Sequence, residues 1–224
     1  MNKKYHKKTF DNIPEEKRDR ILQAAITEFA KNGFNGANIN TIAENADISV
    51  GSVYKYFSSK DDLFLSVVNR GYGLLEEVFS TTALSTGDFF DTIEELLRAA
   101  QKYAIEYPEL NQIYLDLATE GLSHLSKRLS RTVESISAEF YLSIIAKAKK
   151  DGIIPPDLDD QIASFCLDNL LLMVQYSYTS KYFMERMKIF LGDKKAKDKE
   201  RIIQGIMQFI RGGFSRGSLN RGKK

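Results

Sequence analysis

Between Ser49 and Lys60 the chain sets Ser49, Ser52, Tyr54, Lys55 and Lys60 around the apolar residues Val53, Tyr56 and Phe57. Hydroxyl and ammonium groups at that density suit phosphate oxygens and base edges, and no general base stands among them to make a nucleophile. Reactive residue types are thin elsewhere. The two histidines, His6 and His124, are not at metal-ligand spacing, and the single cysteine, Cys166, precludes an internal disulfide or a thiolate cluster. There is no Gly-x-Ser-x-Gly elbow and no Walker lysine loop, and Gly71-x-Gly73 is too short for a nucleotide fingerprint. Asp116 and Glu120 form an i, i+4 carboxylate pair of the kind that helix surfaces carry everywhere. No catalytic residue, metal site or cofactor is therefore expected, and the chain does not read as an enzyme. Its chemistry is recognition.

Those side chains need a scaffold, and residues 37–60 supply one in two short helices joined by a tight turn. Ile39, Ile42 and Ala43 have the i, i+3, i+4 spacing of an amphipathic helix, with Asn38 as its N-cap. Asp47 breaks the pattern. Ser49 caps a second helix in which Val53, Tyr56 and Phe57 face inward while Ser49, Val50, Ser52, Tyr54 and Lys55 point away. Such a pair is a helix-turn-helix, whose second helix enters the DNA major groove.

From Ile42 to Leu63 the residues run Ile-Ala-Glu-Asn-Ala-Asp-Ile-Ser-Val-Gly-Ser-Val-Tyr-Lys-Tyr-Phe-Ser-Ser-Lys-Asp-Asp-Leu. This stretch resembles the DNA-binding signature of the tetracycline-repressor-like (TetR) family of bacterial regulators, and the resemblance covers residues 14–68. A weaker mid-chain likeness lies in Tyr103-x-x-x-x-Pro108-Glu109-Leu110. Two positions depart from the family pattern. Asp47 stands where the family usually has glycine, at a position suited to the left-handed conformation, which Asp tolerates better than most residues. Val50 stands where a basic or small residue is common.

The resemblance implies an all-α protein: an N-terminal three-helix DNA-binding domain, then a larger helical domain for ligand binding and dimerisation. On the first, Asn38, Asn40, Thr41, Ser49, Tyr54, Tyr56 and Lys60 are expected mainly at phosphates, with Val50, Gly51, Ser52 and Lys55 at base edges. Lys60 carries its own local signal, because a cation in the first turn of a helix opposes the helix dipole. The same position in the family's motif holds a basic phosphate-binding residue.

The net charge is only +2, but residues 1–60 hold ten Lys and Arg against seven Asp and Glu, so the basic excess lies with the helix-turn-helix. The division expected is a flexible basic arm over 1–12, the DNA-binding domain over 13–60, the effector and dimerisation domain over 61–214, and a disordered basic tail over 215–224. A first long helix opens at Pro14-Glu15-Glu16 and ends at Asn32-Gly33. Residues 157–187 are apolar on nearly every side between Ile162 and Tyr178, the pattern of a helix buried on more than one face. With the last helix, over 199–214, they are expected to form a homodimer. A cavity lined by Phe90, Leu97, Tyr103, Tyr107, Tyr114, Phe140, Ile144, Phe165, Asn169, Met173 and Tyr176 is expected to take a small apolar or aromatic effector. The N-terminus lacks the apolar core of a signal peptide, and no uncharged run reaches the roughly 18 residues of a membrane span. A cytoplasmic repressor that binds double-stranded DNA as a dimer is the reading that results. Its rival is a helical dimeric scaffold or ligand-binding protein without specific DNA binding.

Overall fold

A computed structural model describes residues 4–83 and 87–214, and among these every regular element is helical. In order they are α1 (Lys8–Asp11), α2 (Glu15–Gly36), α3 (Ile39–Asn45), α4 (Val50–Tyr56), α5 (Lys60–Ala83), α6 (Phe89–Glu106) and α7 (Pro108–Leu117). A single 3-10 turn at Glu120–Leu122 precedes α8 (Ser123–Lys150), α9 (Asp160–Thr179), α10 (Lys181–Leu191), α11 (Asp193–Ala196) and α12 (Lys199–Phe214). None of the described helices is long and apolar enough to cross a membrane.

The chain divides into two compact units. The first takes Met1–Leu75 and Tyr107–Val133, the second Glu76–Glu106 and Glu134–Lys224. This differs from a cut after Lys60. Helix α7 packs along α2, where the Glu109 carboxylate accepts from Gln23 Nε2 at 3.2 Å, and the Tyr114 hydroxyl donates to the Val68 carbonyl at 2.7 Å. Those contacts sort residues 107–133 with the N-terminal helices. Two helices, α5 and α8, contribute residues to both units.

In the first unit, Ile21, Ala25, Ile26 and Phe29 of α2 are buried with Ile42, Val53, Phe57, Leu63 and Phe64. Gly33 breaks α2 at φ 67°, a conformation that costs glycine nothing. The expected arm is not a free segment from Lys4 onward: Tyr5 and Phe10 are buried, Phe10 against Tyr56 and Phe57 at α4 and Tyr5 against Arg128 of α8. The tail over 215–224 lies outside the described residues.

In the second unit, Asp88 caps α6, its carboxylate accepting from the Phe90 and Asp91 amides at 2.8 and 3.0 Å. Helix α6 packs on α9 and α12, and Arg98 clamps Glu200 through two hydrogen bonds of 2.7 and 2.8 Å. The single helix expected over 157–187 is broken. Ser180, extended at φ −80° and ψ 129° and buried, separates α9 from α10.

Candidate nucleic-acid interface

Two seven-residue helices are too short to hold themselves, since nucleation costs more than one or two turns return. Their ends are therefore tied from outside. At the start of α3, the Asn38 side chain accepts from the Asn40 amide at 2.9 Å, and the buried Glu28 carboxylate of α2 accepts from the Asn38 amide at 2.9 Å. Beyond its end, Arg20 Nε donates to the Ala46 carbonyl at 2.9 Å. Asp47 then turns the chain at φ 52°, the one described non-glycine residue at positive φ. Ser49 caps α4, its Oγ accepting from the Ser52 amide at 3.1 Å and lying 2.9 Å from Ser52 Oγ.

This frame leaves Asn38, Asn40, Ser49, Gly51, Tyr54 and Lys55 exposed, with Thr41, Val50 and Ser52 half-buried beside them. A Cβ at Gly51 would meet nothing closer than 3.8 Å, from Ser49 Oγ, so the bare backbone there leaves room for a close approach from outside. Tyr56 is the correction among the expected DNA-facing residues. The residue is 5% exposed and its ring lies 5.7 Å from that of Phe10, so the side chain belongs to the core under α4.

Lys60 is half-buried and its ammonium is occupied within the chain. It donates to the Ala37 carbonyl at 2.6 Å and the Asn35 carbonyl at 3.2 Å, and sits 5.1 Å from the centre of the Phe34 ring. Burial pushes its pKa down, against the pull of Glu28 and Asp61. The cation that looked misplaced at the head of α5 thus closes the end of α2. Lys60→Ala should cost about 1–3 kcal/mol of unfolding stability, the usual worth of charged hydrogen bonds. It should also change the salt dependence of DNA binding by well under the roughly one unit that a lost phosphate contact removes. Denaturant titration and binding at three salt concentrations read both, and a full unit of slope would put the ammonium on a phosphate instead.

Glu28, Arg20, Lys7 and Thr9 were not among the expected site residues, yet each ties down a helix end. One signal existed: Glu28 sits a residue before Phe29 within the apolar stripe of α2, where a carboxylate needs a partner.

The expected effector residues are shared between the two units. Tyr107 and Tyr114 belong to the first unit. In the second, Phe90, Leu97 and Tyr176 are buried, while Tyr103, Phe140, Ile144 and Asn169 are half-buried. Phe140 stacks on Phe79 at 4.6 Å. Phe165, at 69% exposure, and Met173 face outward rather than inward, as does Tyr107. Met173 instead borders a groove of 790 Å³ between α9, α10 and α12, lined by Phe183, Phe190, Ile206 and Phe209 with Arg186 and Arg201.

The model of bacterial regulatory proteins of the tetR family matches residues 21–67, from the second turn of α2 through the first third of α5. The transcriptional repressor NicS of Pseudomonas putida is 30% identical over 189 residues, 80% of this chain and 84% of its own length. A TetR family regulator from Chloroflexus aurantiacus is similar in structure at 25% identity, with a TM-score of 0.64 over 94% of this chain and 99% of that one. FadR of Bacillus subtilis, solved with stearoyl-CoA, shares the fold at 17% identity, with a TM-score of 0.72 over 88% of this chain and 99% of that one. The match over the helix-turn-helix and the likeness to NicS along most of both chains agree: the chain belongs to the TetR family of bacterial regulatory proteins.

Proposed function

We propose that the protein is a cytoplasmic transcriptional repressor that binds a near-palindromic operator as a homodimer and leaves it when a small apolar or aromatic molecule binds its second unit. The observation that carries the DNA-binding part is the exposed face of α4. Gly51, Tyr54 and Lys55 on the helix and Ser49 at its N-cap are exposed, while Val53 and Tyr56 on it and Phe57 at its C-cap are buried. A scaffold that had lost DNA binding would show an acidic or apolar face there. This one carries hydroxyls, bare backbone and an ammonium, the groups that hold phosphates and read base edges.

Homodimer formation is supported by the second unit. Ile162 and Phe165 on α9, Tyr182, Ile189 and Phe190 on α10, and Phe209 on α12 are exposed. Six large apolar side chains on three neighbouring helices exceed the scatter of single hydrophobes normal for a monomer. NicS is a repressor by name, and this chain resembles it over most of its length.

The division of labour on α4 is tested through Lys55. A duplex enriched by the wild-type protein from a randomised pool serves as operator, and a scrambled duplex as control. Lys55→Ala should lower operator affinity by about 1–3 kcal/mol while relaxing discrimination at one base position. Equal loss on both duplexes would return Lys55 to a phosphate.

A further inference from the structure

The last carbonyls of α4 have no partner within the helix, and a helix of seven residues cannot leave them idle without fraying. All three are met by the segment that precedes α2. Lys7 Nζ donates to the Tyr54 carbonyl at 2.7 Å, Thr9 Oγ1 to the Lys55 carbonyl at 2.7 Å, and the Lys7 amide to the Tyr56 carbonyl at 2.8 Å. The ammonium of Lys7 also complements the negative end of the helix dipole. Beneath these bonds, Phe10 is 3% exposed, with its ring 4.8 Å from Phe57 and 5.7 Å from Tyr56.

The segment is fixed at its other end as well. The Tyr5 hydroxyl donates to the Arg128 carbonyl on α8 at 3.0 Å, and the Arg128 guanidinium lies over the Tyr5 ring at 5.5 Å while pairing with Asp62 of α5 at 2.8 Å. Asp11 accepts from Lys4 at 3.1 Å and pairs with His6 at 2.9 Å, closing the segment on itself. Lys4 and Lys7, though exposed, are thus each bonded to groups of this chain.

We propose that Tyr5–Asp11 is a strap that positions the recognition helix, with Lys7, Thr9 and Phe10 as positioning residues that never touch DNA. The proposal rests on the reading of α4 as the DNA-facing helix. Base-edge hydrogen bonds are made within a few tenths of an ångström, whereas a long lysine reaches a phosphate from many positions. Loosening the far end of α4 therefore harms sequence-specific binding and leaves nonspecific binding nearly intact. An arm of phosphate contacts would do the opposite.

The experiment titrates the enriched duplex and the scrambled one at several salt concentrations. Thr9→Val, which keeps shape and charge but removes the donor, should cost about fivefold on the enriched duplex, the fold-change that one net hydrogen bond amounts to. It should cost less than about twofold on the scrambled one, where phosphate contacts dominate, and Thr9→Ser should restore the difference. Lys7→Met should leave the salt slope unchanged. Equal loss on both duplexes, or a slope lowered by about one unit in Lys7→Met, would assign the segment to phosphates and overturn the strap. If the wild type enriches no sequence, the DNA-binding reading fails by itself, and the strap is then judged on amide exchange without DNA. Thr9→Val and Phe10→Ala should both speed exchange at Tyr54–Phe57 relative to the amides of α6, and unchanged exchange there rejects the strap.

Discussion

Phe209→Arg should convert the protein into a monomer with operator affinity lowered by about a hundredfold or more, the penalty for losing the second of two linked sites. Phe209 projects from α12 at 72% exposure, so a guanidinium there disturbs no core contact within the chain, whereas Ile203, Met207 and Ile210 on the same helix are buried and would unfold the unit if charged. Against a second copy the same guanidinium would be desolvated without a partner, a cost of several kcal/mol that a standard interface of roughly 1,600 Å² does not absorb. Two-fold symmetry would double that cost, because each substituted face meets its own copy. Dimerisation matters to DNA because two recognition helices about 34 Å apart meet successive major grooves, while one alone holds half a site. Light scattering at micromolar concentration decides the first step and operator titration the second. A monomeric wild type, or a dimeric Phe209→Arg variant with unchanged affinity, refutes this interface.

What was legible in the sequence is what is local. Caps at Asn38 and Ser49 and the burial of Val53 and Phe57 each depend on residues within a turn of one another, and the structure places them as their spacing predicts, while the left-handed turn at Asp47 is as the family resemblance implies. The ties that hold those helices are not local. Lys7 reaches 47 residues along the chain to Tyr54, and Arg20 reaches 26 to Ala46, so neither leaves a periodic trace. Lys60 was legible as an anomaly but not in its resolution, since a cation at a helix start points equally to a phosphate outside or to carbonyls inside. Helix α9 was ambiguous for another reason. A helix apolar on every side gives no phase, so Phe165 and Met173 read as cavity lining, whereas both are exposed within the chain together with Ile162. The packing of α7 on α2 is likewise a long-range fact, and composition along the chain could not place a boundary around it.

A compound that stabilises the protein thermally by binding its second unit should weaken operator binding roughly 5- to 150-fold, a coupling of about 1–3 kcal/mol. Support for an apolar or aromatic compound comes from the side chains of that unit: Phe90, Leu97 and Tyr176 are buried, and Tyr103, Phe140 and Ile144 half-buried, four aromatic and two aliphatic residues of the kind that ligand sites use. A screen of lipophilic cations, acyl compounds and aromatic acids would find it, since a ligand at a hundred times its dissociation constant adds about 2.7 kcal/mol of stability. Stabilisation alone does not make an inducer, because a ligand that binds the free and DNA-bound states equally shifts nothing. The route for a differential effect is covalent. Helix α5 runs unbroken from Lys60, next to the recognition helix in the chain, to Ala83 in the second unit, so it is the segment through which such an effect would pass. Reciprocity makes the claim strict: operator DNA must weaken binding of the compound by the same factor by which the compound weakens operator binding. Calorimetric titration of the compound, with and without saturating operator, measures one side, and operator titration, with and without the compound, measures the other. Two equal factors above about fivefold establish induction. Unchanged operator affinity with the site saturated rejects it for that compound, and that result across every stabilising compound would leave a repressor whose release needs some other signal.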